Sequence, residues 1–204
     1  MVRRLILALV VLAVAFSWPV FAGDDKVELT PFIGYRFGGD FQNYSTGQKY
    51  SLNSAESYGF TLDFPTSDET KVELMFSRQP TDLKVDGYLG TERITVDMTY
   101  YHVGALYQPS DDEKLQPFVG VTIGATHMKP HVPDTSSETK FSINFTGGVK
   151  FHFSEHIGVR LDGRILATIV NGSGGIFCAG GCVFAFGGNA LWQGEATAGL
   201  IIAF

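Results

Sequence analysis

Two cysteines, Cys178 and Cys182, flank the tripeptide Ala-Gly-Gly, a spacing that serves either a disulfide or a metal. Two glycines let the backbone fold sharply, and an exported chain meets an oxidising compartment, so the expected product is a local disulfide. Metal binding is the weaker reading, since no histidine lies near enough in sequence to complete a tetrahedral set. His127 and His131 are spaced for one face of a helix, but they fall at a strand end and in a loop, where that spacing does not build a metal site. A third constellation is electrostatic. Asp97, Lys150, Arg160, Asp162, Arg164 and Glu195 occupy alternate positions in segments whose other alternate positions are apolar. Enclosed by a wall, such residues are expected to form a packed network of ion pairs together with Arg36, with a proton or ion path as the alternative. Arg164 and Glu195 are expected to meet directly, with Lys150, Arg160 and Asp162 clustered below them. No motif implies a cofactor.

The start of the chain indicates where these residues work. Met1-Val2-Arg3-Arg4 leads into an apolar run over 5–16 and then into Ser17-Trp18-Pro19-Val20-Phe21-Ala22, the three-part layout of a secretory signal peptide. Val20 and Ala22 place the expected cleavage after Ala22, leaving one mature domain over 23–204. The apolar run is shorter than the ~20 residues of a membrane-spanning helix. Removing it takes two of the fifteen basic residues and no acidic one, moving the formal charge from −6 to −8. An acidic balance without a Lys/Arg cluster excludes nucleic acid as a partner. No later stretch is apolar for long enough to cross a bilayer as a helix. A chain that enters one must then do so as a closed barrel of strands, in which every backbone group finds a partner.

Period-two alternation supplies those strands. It runs over 26–37, 57–64, 71–76, 92–107, 117–125, 141–153, 157–168 and 190–204, eight segments in all. In the fourth, Ile94, Val96, Met98 and Tyr100 alternate with Thr95, Asp97, Thr99 and Tyr101, the first set apolar and the second polar, while Tyr100-Tyr101-His102-Val103 suits either register. Pro31-Phe32-Ile33-Gly34 returns as Pro117-Phe118-Val119-Gly120, a faint echo between two halves of four strands. The connections over 65–69, 108–116 and 154–156 are short, whereas those over 38–55, 78–91, 128–138 and 169–189 are long. Short turns at one end and long loops at the other are the asymmetry of an outer-membrane barrel, with the long loops outside the cell.

A soluble carrier barrel such as a lipocalin also has eight alternating strands, so the decision depends on which face holds the charges. Tyr35, Phe37, Tyr58, Phe141 and Trp192 fall near one end of the apolar face, and Phe64, Phe151, Phe153 and Phe204 near the other. Two aromatic girdles around an aliphatic band describe a lipid-facing exterior. The opposite face, with Asp63, Glu73 and the six charges named above, becomes the bore, which in an eight-stranded barrel is just wide enough for side chains.

The ending Leu200-Ile201-Ile202-Ala203-Phe204 resembles the C-terminal strand signal that the outer-membrane barrel-assembly machinery recognises. With the signal peptide and the eight strands, the mature chain resembles the OmpA-transmembrane and OmpX class of small barrels over nearly its full length. That resemblance implies an all-β, eight-stranded, antiparallel up-and-down barrel in the outer membrane of a Gram-negative bacterium. The partners it implies are outer-membrane lipid, lipopolysaccharide and the assembly machinery, with Phe204 as the assembly signal. His152-Phe153-Ser154 resembles the His-x-Ser arrangement of outer-membrane lipid A deacylases, which would make His152 a general base and Ser154 a nucleophile. The triplet lies at the inner turn, however, while those enzymes work in the outer leaflet, so turn residues are the preferred reading. The expected function is a non-enzymatic surface barrel whose loops contact an extracellular ligand. Two alternatives stand beside it: a narrow OmpW-like conduit for small or apolar solutes, for which the bore-facing glycines 34, 120, 124, 148 and 199 would leave space, and a lipid A modifying enzyme.

The face assignment makes a direct prediction. Ile143→Arg, on the lipid face, should lower stability by roughly 2 to 4 kcal/mol in lipid vesicles, whereas Ser142→Arg is limited only by space in the bore. Urea titration of both variants checks it, and equal tolerance would reverse the assignment.

Overall fold

Alternating side chains make strands, and each strand must then find two neighbours. The computed structural model, which describes residues 26–42, 49–87, 90–109, 114–131, 136–169 and 190–204, resolves this with ten antiparallel strands. They are β1 (Glu28–Gly38), β2 (Asp40–Gln42), β3 (Lys49–Leu52), β4 (Ala55–Ser67), β5 (Thr70–Gly87), β6 (Gly90–Tyr107), β7 (Leu115–Pro130), β8 (Glu138–His152), β9 (Ile157–Ile169) and β10 (Ala190–Ala203). Eight form the wall in the order β5-β4-β1-β10-β9-β8-β7-β6, and pairing of β5 with β6 closes the ring. The fold is a closed eight-stranded antiparallel barrel. β2 and β3 form an added hairpin on the outer end of β5. Gly38 and Gly39, with φ of 82° and 114°, make the bend from β1 into it, a backbone region open mainly to glycine.

Both ends of the described chain meet at the inner rim. Val27 N donates to Phe204 O at 3.1 Å and Phe204 N to Val27 O at 3.0 Å, so Phe204 sits beside the short turns with its ring exposed. Lys26 donates to the Glu155 carboxylate at 3.1 Å across that rim. This hydrogen bond holds the exposed Glu155 carboxyl below its ordinary range.

Around the middle of the wall the exterior is oil. Ile33 is 72 % exposed, Val119 58 % and Ile165 54 %, values that only hydrocarbon solvent makes favourable over so wide a band. Tyr35, Phe37, Tyr58, Phe141 and Trp192 are exposed towards the outer end, and Phe151, Phe153 and Phe204 towards the inner end.

Two sequence expectations change here. Residues 78–87 and 90–91 are not loop: β5 and β6 continue as paired strands to Gly87 and Gly90. The face assigned to the outer half of β6 is also reversed. Val96, Met98 and Tyr100 are buried in the bore, while Thr95, Thr99 and Tyr101 share the exterior parity, with Tyr101 54 % exposed. The physical reason is a change of solvent along one strand. Inward of Tyr101 the wall meets lipid and its apolar side chains point out, as Val103 and Tyr107 do. Beyond Tyr101 the wall meets water, and the apolar side chains turn in as they would in a soluble barrel. β5 behaves alike, with Val72 and Leu74 exposed on the lipid-facing part and Leu83 turned in beyond it.

The outer bore is consequently a hydrophobic core. Leu52, Met75, Val96, Met98, Tyr100, Leu166 and Leu191 pack together there, with Leu83, Ile94 and Met128 against them. Met98 is 1 % exposed, and its truncation to Ala should cost about 2 to 5 kcal/mol by removing transfer energy and leaving a cavity. Thr99→Ala, on the exterior of the same strand, should stay within about 0.5 kcal/mol. Unfolding of both variants in lipid vesicles, followed by tryptophan fluorescence, tests the contrast.

Candidate functional site

Inward of the apolar core the bore fills with charge, and every charged group there has an opposite partner. From the inner rim, Lys71 Nζ and Lys150 Nζ each lie 2.5 Å from one oxygen of Glu28. Lys150 also holds Asp63 at 2.7 Å. Asp63 lies 3.3 Å from an Arg160 nitrogen that holds Glu73 at 2.7 Å, while Arg160 Nε reaches Asp162 at 2.8 Å. Arg164 Nε meets the other Asp162 oxygen at 2.7 Å and its guanidinium lies 3.5 Å from Glu195. Glu195 then takes Arg36 at 2.7 Å. The chain is unbroken, it draws on β1, β4, β5, β8, β9 and β10, and its buried members are five acids and five bases.

Electroneutrality explains how so much charge stays buried. A lone charge in such a place would cost several kcal/mol, and only close, multiply bonded pairs offset that. The geometry is of this kind. Arg36 donates to Ser77 Oγ at 2.6 Å besides Glu195, and its guanidinium lies 4.4 Å from the centre of the Tyr100 ring. The Tyr100 hydroxyl donates to Gln193, whose Nε2 donates to Gln79 at 3.1 Å. This layer of Arg36, Tyr100 and the two glutamines joins the charged plug to the apolar core. His102, two residues from Tyr100 on β6, lies 2.8 Å from Ser142 Oγ and 3.1 Å from Thr122 Oγ1.

Two aromatic rings that the alternation argument left unassigned complete the plug. Phe32 and Phe118 both point into the bore. The Arg164 guanidinium lies 4.2 Å from the centre of the first ring and that of Arg160 4.4 Å from the second, a cation–π contact that is strongest out of water. The repeated Pro-Phe-(Ile/Val)-Gly tetrapeptide was the signal for them, since each copy sets its Phe on the bore side. Glycine provides the room. Gly59 and Gly199 face Phe32 in the two neighbouring ladders, and Gly148 faces Phe118. The bore-facing glycines thus leave no free space; a Cβ on Gly120 would lie 2.3 Å from Leu106 Cδ2.

The sequence that builds this barrel matches a known family. The outer membrane protein beta-barrel domain covers residues 8–201. The chain belongs to that family. Among solved structures, the Neisserial surface protein A superposes with a TM-score of 0.59 at 12 % identity, over 87 % of this chain and 97 % of that one. OprG from Pseudomonas aeruginosa gives 0.58 at 14 %, over 88 % and 95 %. AlkL, determined by solid-state NMR in lipid bilayers, gives 0.50 at 15 %, over 92 % and 95 %. These likenesses concern the fold. No curated protein matches the sequence.

In this family member the structure gathers Lys150, Arg160, Asp162, Arg164 and Glu195 into one network and adds Glu28, Arg36, Asp63, Lys71 and Glu73. Arg164 and Glu195 do face each other in the ladder, although Arg36 holds Glu195 more closely. Asp97 is the correction. It belongs to the exterior of the outer half of β6, where it pairs with Arg78 at 2.6 Å and His131 at 3.0 Å. His152 points to Glu28 at 3.9 Å, whereas Ser154 Oγ accepts the backbone N–H groups of His156 and Ile157. A turn, not a base–nucleophile pair, uses Ser154. His127 bonds Thr139 at 2.9 Å, apart from His131. Cys178, Cys182 and the expected signal peptide lie outside the described residues.

Asp63 joins Lys150 to Arg160, so its neutralisation tests the plug. Asp63→Asn keeps the shape but leaves two buried cations short of a partner, and should cost about 3 to 5 kcal/mol. Urea unfolding in vesicles measures this; a loss under 1 kcal/mol would mean that water reaches the site.

Proposed function

We propose that the protein is a closed, non-catalytic anchor in the bacterial outer membrane whose outer connections carry its contacts with extracellular ligands or neighbouring membrane components. The bore supports this reading. Among the described residues, ten charged side chains in it are buried and mutually neutralised, which favours a rigid plug over a passage, because a conducted ion would have to break pairs that have no water to replace them. The segment over 38–55, rich in Ser, Thr, Asn, Gly and Tyr, has the composition of adaptable hydrogen-bonding surfaces held on a rigid scaffold. Catalysis has little support, since His152 and Ser154 serve separate partners. Outer-leaflet lipid, including lipopolysaccharide, would surround the wall, and Phe204 at the inner rim would serve the assembly machinery.

Planar-bilayer recording separates the anchor from the conduit. The wild-type barrel is expected to give no unitary steps. Steps whose ion selectivity changes in Glu195→Ala would favour a conduit instead. Replacing 43–48 and 170–189 by short Gly/Ser turns, which spares the core residue Leu52 and the paired strands, should leave folding intact and abolish adhesion or ligand capture. Unchanged lipid A acylation in a deletion strain, read by mass spectrometry, is the expected result for a protein without deacylase activity.

A further inference from the structure

The exterior of β5, β6 and β7 changes character just beyond the aromatic belt. Phe76 lies 5.5 Å from Phe60 and 5.5 Å from Tyr101 between ring centres, and Tyr58 stands opposite Arg78 in the ladder. Arg78 is two residues beyond Phe76; Asp97 and Lys129 are four beyond the paired Tyr101 and Ala125. With a rise of about 3.3 Å per residue and a tilt of about 40°, these side chains leave the wall roughly 5 to 10 Å outside the belt, at headgroup depth.

At that level Asp97 Oδ2 accepts from Arg78 at 2.6 Å and lies 3.0 Å from His131 Nε2, with Lys129 directly across the ladder. One carboxylate thus stands among several basic groups. The Arg78 side chain remains 43 % exposed and that of His131 50 %. Lys129 is exposed and has no ion pair among the described residues. Farther out on the same wall, Lys84 and Arg93 face each other directly, an arrangement that repels unless an anion lies between them. The nearby acid Asp82 accepts the Thr95 hydroxyl at 2.9 Å. On the wall of β4 and β1 the corresponding charge is an acid, Glu56, opposite Tyr35.

We propose that the β5–β7 wall is a docking site for a phosphate-bearing lipid of the outer leaflet. Arg78 and Lys129 engage the phosphate, Asp97 holds the Arg78 guanidinium in position, and the acyl chains lie along the aliphatic exterior around Val121 and Ile123. Cations at headgroup depth attract anionic lipid, and a guanidinium offers a phosphate two parallel donors. A free anion gains the charge contacts but not the hydrocarbon ones, which commits the site to lipid. The inference rests on the anchor reading for the barrel's placement alone; a conducting bore would leave it standing.

Native mass spectrometry of the purified full chain in detergent tests it, with a bis-phosphorylated lipid A, the same lipid stripped of phosphate, and inorganic phosphate as competitor. The wild type should retain the phosphorylated lipid in preference to the stripped one. Lys129→Gln, which breaks no described ion pair, should cut that preference roughly fivefold, and Arg78→Gln with Lys129→Gln roughly thirtyfold, on the scale of single cations at an anionic membrane surface. Glu56→Gln, on the other wall, should leave it unchanged. Equal retention of the two lipids by the wild type, an undiminished preference in Lys129→Gln, or displacement by millimolar inorganic phosphate would overturn the proposal.

Discussion

A ring of strands in hydrocarbon has one place to keep charge, its interior, and that interior is about as wide as the side chains that fill it. Everything else in the barrel follows from satisfying both demands together. Charge must be hidden from lipid, yet hidden charge must be neutralised within reach. Ten groups on six strands meet this by sharing partners: Glu28 takes two lysines, Asp63 a lysine and an arginine, and Asp162 two arginines. Each shared group ties strands distant in sequence, as Arg36 on β1 and Arg164 on β9 are tied through Glu195.

Such a plug also demands complementary shapes. Arginine is the suitable cation because its flat face rests on an aromatic ring while its edge donates to carboxylates, and Arg160 does both, over Phe118 and towards Glu73 and Asp162. The rings need space that only glycine in the adjacent strands leaves. Large and small residues therefore alternate around the bore as acids and bases do, and neither pattern works without the other. The apolar core at the outer end completes the closure with methionine and leucine in place of ion pairs.

Much of this was legible in the sequence where the surroundings of a strand are uniform. The barrel class, the oil-out orientation and the bore-facing positions of Lys150, Arg160, Asp162, Arg164 and Glu195 follow from period two and the distribution of aromatics. Asp97 lies outside the bore because β6 passes from lipid into water, and polarity reverses while the backbone alternation continues. A single rule for the whole strand then places its outer half inside out. The extended β5–β6 hairpin was hidden for the same reason, since Thr, Asp, Lys and Arg on a water-facing wall resemble loop composition. Phe32 and Phe118 are not found by the distribution of aromatics, because girdles on the lipid face say nothing of rings that fill the bore.

The reversal of polarity on β5, β6 and β7 bears on biogenesis. Arg78, Asp82, Asp97 and Lys129 stand on the exterior of β5, β6 and β7 beyond the aromatic belt, so a barrel inserted from the opposite side as a finished cylinder would drag those groups through the acyl layer. Such exposure opposes spontaneous entry from the inner side. Hairpins passed outward through a hydrated opening, before the last seam of the wall is sewn, would avoid it. In this protein the taller the water-facing rampart, the higher the barrier that insertion across the acyl layer must overcome.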